Sequence, residues 1–114
     1  MLKKKNCLKR KKDFGLVFKK GKGLKEGFLF LKFIPNHLES SRFGVIVSRK
    51  ISKKATIRNK IKRRLKAIVS QKLPKIKKGK DFVLVAVPGL ETKDFWEIEE
   101  TINRLFEKAK IINE

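Results

Sequence analysis

The sequence contains no acidic residue between Glu39 and Asp81, and its most basic segment lies inside this gap. Ten of the eighteen residues from Arg49 to Lys66 are lysine or arginine. A helix whose charges are merely solvated usually carries both signs along its exposed face. The absence of one sign therefore favours a surface that binds a polyanion over one that is only solvated.

Other kinds of residue and segment are also missing. The single cysteine, Cys7, excludes an internal disulfide and a zinc site built from cysteines, and it fits a reducing cytoplasm. No apolar run approaches the length of a transmembrane helix. The segment Met1–Asp13 lacks the apolar core of a secretory signal, and the basic segment lacks the aromatic anchors of a helix that lies on lipid. We therefore expect a cytoplasmic protein without a membrane partner.

Side chains that perform acid–base or metal chemistry are scarce. Hydrolysis of a nucleic acid by protein groups needs acid–base residues or metal-binding carboxylates. The only histidine, His37, lies in a predicted turn with Glu39 as its single close acidic neighbour. Seven of the 11 acidic residues fall in the last 24 positions, interleaved with apolar residues, and no glycine-rich phosphate loop is present. We predict that the chain has no catalytic residue and binds no cofactor or metal by itself.

What the chain does have is charge, together with enough apolar residues to fold. It has 114 residues, 40% of them hydrophobic, a formal net charge of +21 and a pI of about 10.5. This length predicts one domain, residues 1–114, with a basic N-terminal arm at residues 1–10, and the charge indicates a nucleic acid as its partner. The first 90 residues hold 28 basic and 4 acidic residues, whereas the last 24 hold 4 basic and 7 acidic. We therefore expect the C-terminal segment to lie away from the polyanion.

Apolar periodicity and chain breakers predict three helices and three strands. The helices are expected from Asp13, as a cap, to Lys20, from Thr56, a candidate cap, to Lys72, and from Asp94 to Ile112; the strands are expected at Phe28–Ile34, Arg42–Ser48 and Asp81–Val87. Residues 21–27 would form a loop, the first two strands an antiparallel hairpin, and the strands on either side of the basic helix a parallel pair. The predicted fold class is α+β: an α-β-β-α-β-α two-layer sandwich with a mixed sheet, with helices on one sheet face and the other face only partly covered.

The basic helix combines a buried stripe with a cationic arc. Apolar residues recur at helical spacing and should face the core: Ile57, Ile61, Leu65, Ile68 and Val69. At about 100° per residue, five polar residues fall on one arc beside this stripe: Arg58, Asn59, Lys62, Arg63 and Lys66. This surface suits a polyanion better than a small molecule.

Two phenylalanines of the first predicted helix, Phe14 and Phe18, lie one turn apart. Aromatic residues at this spacing usually belong to a core. In so basic a protein they could instead stack on unpaired bases. The spacing alone does not decide between the two interpretations.

Three motifs span nearly the whole chain. The run Arg42–Ile68 (RFGVIVSRKISKKATIRNKIKRRLKAI) places Arg-Asn-x-x-Lys-Arg on a helix after a glycine-containing strand. The run Leu8–Gly21 contains LKRKKDF and the pattern DFxxVFxxG, and Asp81–Gly89 reads DFVLVAVPG. Taken together, the three motifs resemble those of the protein subunit of bacterial ribonuclease P.

This resemblance implies that catalysis belongs to a large RNA with bound Mg²⁺, which removes the 5′ leader of precursor tRNA, and that no protein partner is required. Residues expected to bind the catalytic RNA are Lys53, Lys54, Arg58, Asn59, Lys60, Lys62, Arg63 and Lys66. Residues expected to bind the leader, in a cleft between the sheet and the first helix, are Phe14, Phe18, Leu29, Leu31, Ser48 and Lys50. The resemblance also implies a left-handed crossover between the parallel strands, against the usual right-handed rule.

Two departures from the family pattern and two alternative functions accompany this interpretation. Leu31 stands where relatives often carry an aromatic residue, so one stacking contact with the leader could be lost. The segment Ser52–Lys54 replaces a more common glycine-containing turn. A structural ribosomal protein would share the size and charge without the paired motifs, and a free-standing nuclease would need the catalytic residues that the chain lacks.

Overall fold

The computed structural model describes residues 3–110. The helices are α1 (Lys11–Lys20), α2 (Ala55–Lys72) and α3 (Phe95–Ala109), and the strands are β1 (Lys22–Glu26), β2 (Leu29–Pro35), β3 (Arg42–Ile46) and β4 (Lys80–Ala86). Short 3-10 turns occur at Lys4–Asn6, Leu73–Lys75 and Leu90–Thr92. Within residues 3–110, no helix has both the length and the apolar content needed to cross a membrane.

The four strands form one mixed sheet in the order β1-β2-β4-β3. Strand β2 runs antiparallel to β1 and β4, and β3 runs parallel to β4. The α+β class and the parallel pair on either side of the basic helix are therefore confirmed; the left hand of this crossover stays a prediction. The predicted hairpin of the first two predicted strands, which correspond to β2 and β3, is wrong, because β4 lies between β2 and β3 and pairs with both.

Strand β1 was predicted to be a loop. It carries a single large apolar residue, Leu24, so its sequence lacks the alternation that indicates a strand. Pairing with the whole length of β2, from Lys22 opposite Phe33 to Glu26 opposite Leu29, holds it in the sheet. Gly27, with φ of 56°, makes the tight turn between the two strands.

The main core lies between one face of the sheet and the helices α2 and α3. The sheet contributes Leu29, Leu31, Phe33, Phe43, Val45, Phe82 and Leu84, and the helices contribute Ile61, Leu65, Ile68, Val69, Ile98, Ile102, Leu105 and Phe106. The rings of Phe43 and Phe82, on neighbouring strands, stack with centroids 4.5 Å apart. Offset ring pairs of this kind add about 0.5–1.5 kcal/mol to the burial of their area.

Helix α1 and the N-terminal arm cover part of the opposite face of the sheet. A smaller cluster there contains Leu8, Val17 and Val83. The arm follows the outer edge of β3, because the Leu8 amide donates to the Phe43 carbonyl at 2.8 Å. This face is only partly covered, as expected; its cover includes the helix α1, whereas the sequence pattern placed the helices on one face.

The helix ends depart from prediction at two caps. The Asp94 carboxylate accepts a hydrogen bond from the Glu97 amide at 2.9 Å, which confirms the cap of α3. Thr56 lies inside α2, which begins one residue earlier, and Asp13 lies in the first turn of α1 rather than at its cap. The predicted end of the last helix, Ile112, lies outside the described residues.

Candidate RNA interface

Helix α2 has the two-sided character that its periodicity predicts. It buries Ile61, Leu65, Ile68 and Val69 against the sheet, whereas Ile57, at the first turn, is 39% exposed. The remaining surface carries seven lysine or arginine residues and no acidic one. Among residues 3–110, no carboxylate lies within ion-pairing distance of these cations. The positive charge of α2 is therefore not neutralised by the described protein.

The residues predicted to bind the catalytic RNA lie on this surface or directly before it. The exposed members are Lys53, Lys54, Asn59, Lys60 and Arg63, and the half-buried members are Arg58, Lys62 and Lys66. The half-buried side chains flank the apolar stripe, as their helical offsets require. All eight residues lie on α2 or within the two residues before it, and none is fully buried.

Arg58 has a second role that its sequence pattern did not reveal. Its Nη1 donates hydrogen bonds at 2.9 Å to the backbone carbonyls of Ser52 and Lys53. No side chain caps α2 at its N-cap residue, Lys54. Arg58 therefore holds the turn before the helix in place, and only part of its hydrogen-bonding capacity remains for RNA.

On the opposite face, α1 crosses the sheet from β3 to β2. The ring of Phe14 lies over Gly44 of β3, close enough that a Cβ on this glycine would collide with it. At the other end of the helix, the Nζ of Lys32, on β2, lies 5.8 Å from the Phe18 ring centroid and donates to the Phe18 carbonyl at 2.7 Å. Phe18 is 39% exposed, so its ring is not core.

Next to the strip that α1 covers lies a row of three half-buried apolar side chains. Phe30, Val85 and Ile46 are in register across β2, β4 and β3. We call this row, together with Phe14 and Phe18, the α1 cleft. Its walls are apolar and partly aromatic, and two of its aromatic rings belong to one helix.

The predicted placement of Leu29 and Leu31 in the cleft is wrong. Both side chains have zero exposure and pack in the main core, on the sheet face away from α1. Successive residues of a strand point to opposite faces, so a shift of one position moves a side chain from one face to the other. The cleft instead receives Phe30, and the aromatic residue that seemed to be lost at Leu31 is present one position earlier.

Ser48 and Lys50 lie exposed beyond the end of β3, which stops at Ile46, two residues before its predicted end at Ser48. The Ser48 Oγ accepts a hydrogen bond from the Lys50 amide at 3.3 Å, which shapes the turn. Ser48 is two residues beyond Ile46 of the α1 cleft, and Lys50 is five residues before the start of α2. This turn therefore connects the cleft with the cationic helix.

A largely buried ion pair joins β3 to β4 and extends to α1. Asp81, with a side chain 6% exposed, accepts hydrogen bonds from Arg42 Nε at 2.8 Å and Nη2 at 2.6 Å, and from Asn36 Nδ2 at 2.9 Å. Arg42 Nη1 also lies 3.5 Å from the carboxylate of Asp13, on α1. Hydrogen bonding to Asp81 raises the pKa of Arg42, against the opposing effect of burial. The Asp13 of the DFxxVF motif is thus a structural link between helix and sheet.

The described residues contain no group of three or more histidine, cysteine, aspartate or glutamate side chains placed to hold a metal ion. His37, in the turn after β2, has φ of 62° and is exposed. The functional features of the described residues are therefore the helix α2, whose cations lack ion-pair partners, and the separate apolar α1 cleft.

The sequence profile of the family described as Ribonuclease P matches residues 2–110. The chain belongs to the ribonuclease P protein family. A ribonuclease P protein component from Syntrophomonas wolfei is 38% identical over 109 residues, which cover 96% of this chain and 91% of the relative. The ribonuclease P protein structure from Thermotoga maritima superposes with a TM-score of 0.82 at 35% identity, covering 90% of this chain and 96% of that one. The structure from Staphylococcus aureus gives 0.87 at 25% identity, covering 95% and 98%.

Membership of the ribonuclease P family decides between the alternative functions. The chain is part of the endoribonuclease ribonuclease P, which acts in tRNA processing, and it works together with the RNase P RNA. A structural ribosomal protein and a free-standing nuclease are therefore set aside.

Proposed function

We propose that the two surfaces bind different RNAs. The cationic surface of α2 binds the RNase P RNA. The α1 cleft, on the other face of the sheet, holds the 5′ leader of precursor tRNA. The observation that carries this division is the placement of an apolar, aromatic cleft on one sheet face and an unpaired cationic helix packed on the other.

The α2 surface has the properties of a phosphate-binding surface. Lysine and arginine neutralise phosphates and release counterions, which supplies most of the affinity of such interfaces. The exposed side chains of Asn59, Lys60 and Arg63 have no partner among the described residues. Burial of Ile61 and Leu65 holds the helix rigid, so that these cations are presented in a fixed arrangement.

The α1 cleft has the properties of a site for unpaired nucleotides. Proteins bind single strands by stacking bases on aromatic side chains inside a positively charged groove. Phe18 and Phe30 supply partly exposed rings, and the chain leads from Ile46 of the cleft into the basic turn that contains Lys50. A base-paired tRNA end offers no free base faces to these rings, so the cleft favours substrates that still carry a leader.

We assign the hydrolytic step to the RNase P RNA and its Mg²⁺, with this chain binding and orienting RNA. Three carboxylates near the sheet are used in ion pairs: Asp81 and Asp13 pair with Arg42, and Glu26 pairs with Arg104 and Lys108 of α3. Its site of action would be the cytoplasm.

The test is reconstitution with a bacterial RNase P RNA at a Mg²⁺ concentration too low for the RNA alone. Addition of the protein should restore cleavage of precursor tRNA at the 5′ end of the mature sequence. Arg63→Ala should raise the protein concentration needed for half-maximal cleavage, whereas Phe18→Ala should raise the KM for precursor tRNA at saturating protein. Cleavage that is unchanged by the wild-type protein would contradict the proposal, and identical effects of the two variants would contradict the division of roles.

A further inference from the structure

A pocket of about 440 Å³ lies at the edge of the sheet beyond β3. It is bounded by the N-terminal arm, by the connection from β2 to β3, and by the end of α2 with the turn that follows it. Pockets that hold small organic groups span about 300–1,000 Å³. The space therefore admits a group of the size of a nucleotide, and it is separate from the α1 cleft.

Buried polar contacts make this pocket a fixed feature of the fold. Asn6, which is 6% exposed, donates from Nδ2 to the Ser41 carbonyl at 2.8 Å. Ser41, 5% exposed, donates from Oγ to the Lys77 carbonyl at 2.7 Å and accepts from the Lys80 amide at 3.3 Å. The arm, the β2–β3 connection and the segment before β4 are thus tied together around the pocket.

The lining of the pocket is chemically divided. Lys3, Lys5 and Lys78 supply positive charge, against a single carboxylate from Glu39. Leu73, Pro74 and the buried Ile76 supply an apolar wall. A nucleotide has the matching parts, because its phosphate pairs with ammonium groups and its base or ribose packs on apolar side chains.

The cationic surface of α2 leads directly to this pocket. Asn59, Arg63, Lys66 and the pocket residue Ser70 lie within about 60° of one another around the helix axis. Ser70 is about 16 Å along the axis from Asn59. An RNA strand that follows this row of side chains from the first turns of α2 arrives at the pocket.

We propose that this pocket receives one unstacked nucleotide of the RNA that α2 binds. The inference rests on the proposed contact between α2 and the RNase P RNA. It adds a second anchoring point, in which Lys78 pairs with phosphate and the wall formed by Leu73 and Ile76 contacts the base or ribose.

The test measures the affinity of the full-length protein for the RNase P RNA over a series of salt concentrations. Lys78→Gln removes one cation from the pocket, and Lys25→Gln removes one exposed cation from β1, at the opposite edge of the sheet. Lys78→Gln should weaken binding about five-fold or more and lower the magnitude of the salt slope by about 1. Lys25→Gln should leave the slope unchanged.

Two further variants test the pocket by its volume and by its own carboxylate. Ser40→Trp fills the pocket without changing charge and should weaken binding to a similar extent, whereas Glu39→Gln removes the only carboxylate of the lining and should strengthen binding about two-fold. Thermal unfolding of each variant reports whether the fold is intact.

Equal effects of Lys78→Gln and Lys25→Gln, with no effect of Ser40→Trp, would overturn the pocket assignment. If Arg63→Ala weakens binding and the pocket variants do not, the proposed contact between α2 and the RNA stands and the pocket proposal is rejected.

Discussion

The ring of Phe14 occupies the space that a side chain on Gly44 would need. Gly44 lies on the central part of β3, where a glycine otherwise weakens a strand. Its lack of a Cβ lets α1 approach the sheet closely, which brings Phe14 and Phe18 to the edge of the apolar row. The glycine of the RFGVIVS strand motif thus sets the depth of the α1 cleft.

Gly44→Ala should therefore destabilise the protein, because the new Cβ forces the Phe14 ring and α1 away from the sheet. Overpacking of this kind costs about 1–3 kcal/mol. Gly15→Ala is the matched control on α1, since a Cβ there meets nothing within 4 Å. It should stabilise the helix by about 0.5–1 kcal/mol. Denaturant unfolding of the two variants should give opposite signs; equal signs would show that the Phe14–Gly44 contact does not limit the position of α1.

The one-residue shift between Phe30 and Leu31 gives a second prediction. Phe30→Ala should weaken binding of precursor tRNA by the assembled enzyme, by about 1–3 kcal/mol if one stacked base is lost. Leu31→Ala should instead destabilise the fold by about 2–5 kcal/mol, because it leaves a cavity in the main core. Affinities for precursor and mature tRNA, measured beside the melting temperature, separate the two effects. Selective loss of precursor binding in a folded Leu31→Ala variant would instead support the predicted placement of Leu31 in the cleft.

The ion pair of Arg42 and Asp81 should contribute more to stability than the contact of Arg42 with Asp13 of α1. Arg42→Ala leaves a buried carboxylate without its partner, which costs about 3–5 kcal/mol. Asp13→Asn removes only a longer, more exposed contact and should cost less than about 1 kcal/mol. Since the pKa of Arg42 is raised, its contribution is present below that pKa and is lost only as the pH rises through it. Titration of Arg42 should therefore not change the difference in unfolding free energy between Arg42→Ala and the wild type between about pH 5 and about pH 9. Urea unfolding across that range checks this.

Arg58 and Arg63 should respond differently to the same truncation. Arg63→Ala removes an exposed cation and should change the free energy of unfolding by no more than about 0.5 kcal/mol while weakening binding of the RNase P RNA. Arg58→Ala also removes two hydrogen bonds to the turn before α2 and should cost about 1–3 kcal/mol of stability. Unfolding and RNA-binding measurements on both variants test this. Equal stability of the two variants would show that the turn does not depend on Arg58.

The elements that the sequence predicts well are those with a strong local pattern. The stripe from Ile61 to Val69 has helical spacing, and the run from Asp81 to Val87 is apolar because β4 is covered on both faces. Strand β1 has no such pattern, since pairing with β2 rather than burial holds it in place. The sheet order depends on contacts distant in sequence, and local periodicity does not encode which strand inserts between two others.

Among the site residues, the helical ones lie on the faces of α1 and α2 that the spacing predicts, whereas Leu29 and Leu31 lie on the opposite sheet face from the predicted one. A helix repeats every 3.6 residues, so an error of one position in α2 moves a side chain by about 100° and many neighbours still share its face. In a strand the same error reverses the face, as happened for Leu29 and Leu31. The structural roles of Arg58 and Asp13 depend on partners outside their helices and leave no signal in local spacing.

The central claim is that the α1 cleft holds the leader, and Phe18 tests it most directly. Its ring is 39% exposed, and its backbone contact with Lys32 does not need the side chain, so Phe18→Ala should unfold close to the wild type. The decisive measurement is the ratio of the affinities of the reconstituted enzyme for precursor tRNA and for mature tRNA. Phe18→Ala should lower this ratio by the equivalent of about 1–3 kcal/mol, through weaker binding of the precursor alone. A ratio equal to that of the wild-type enzyme in a stably folded variant would contradict the account.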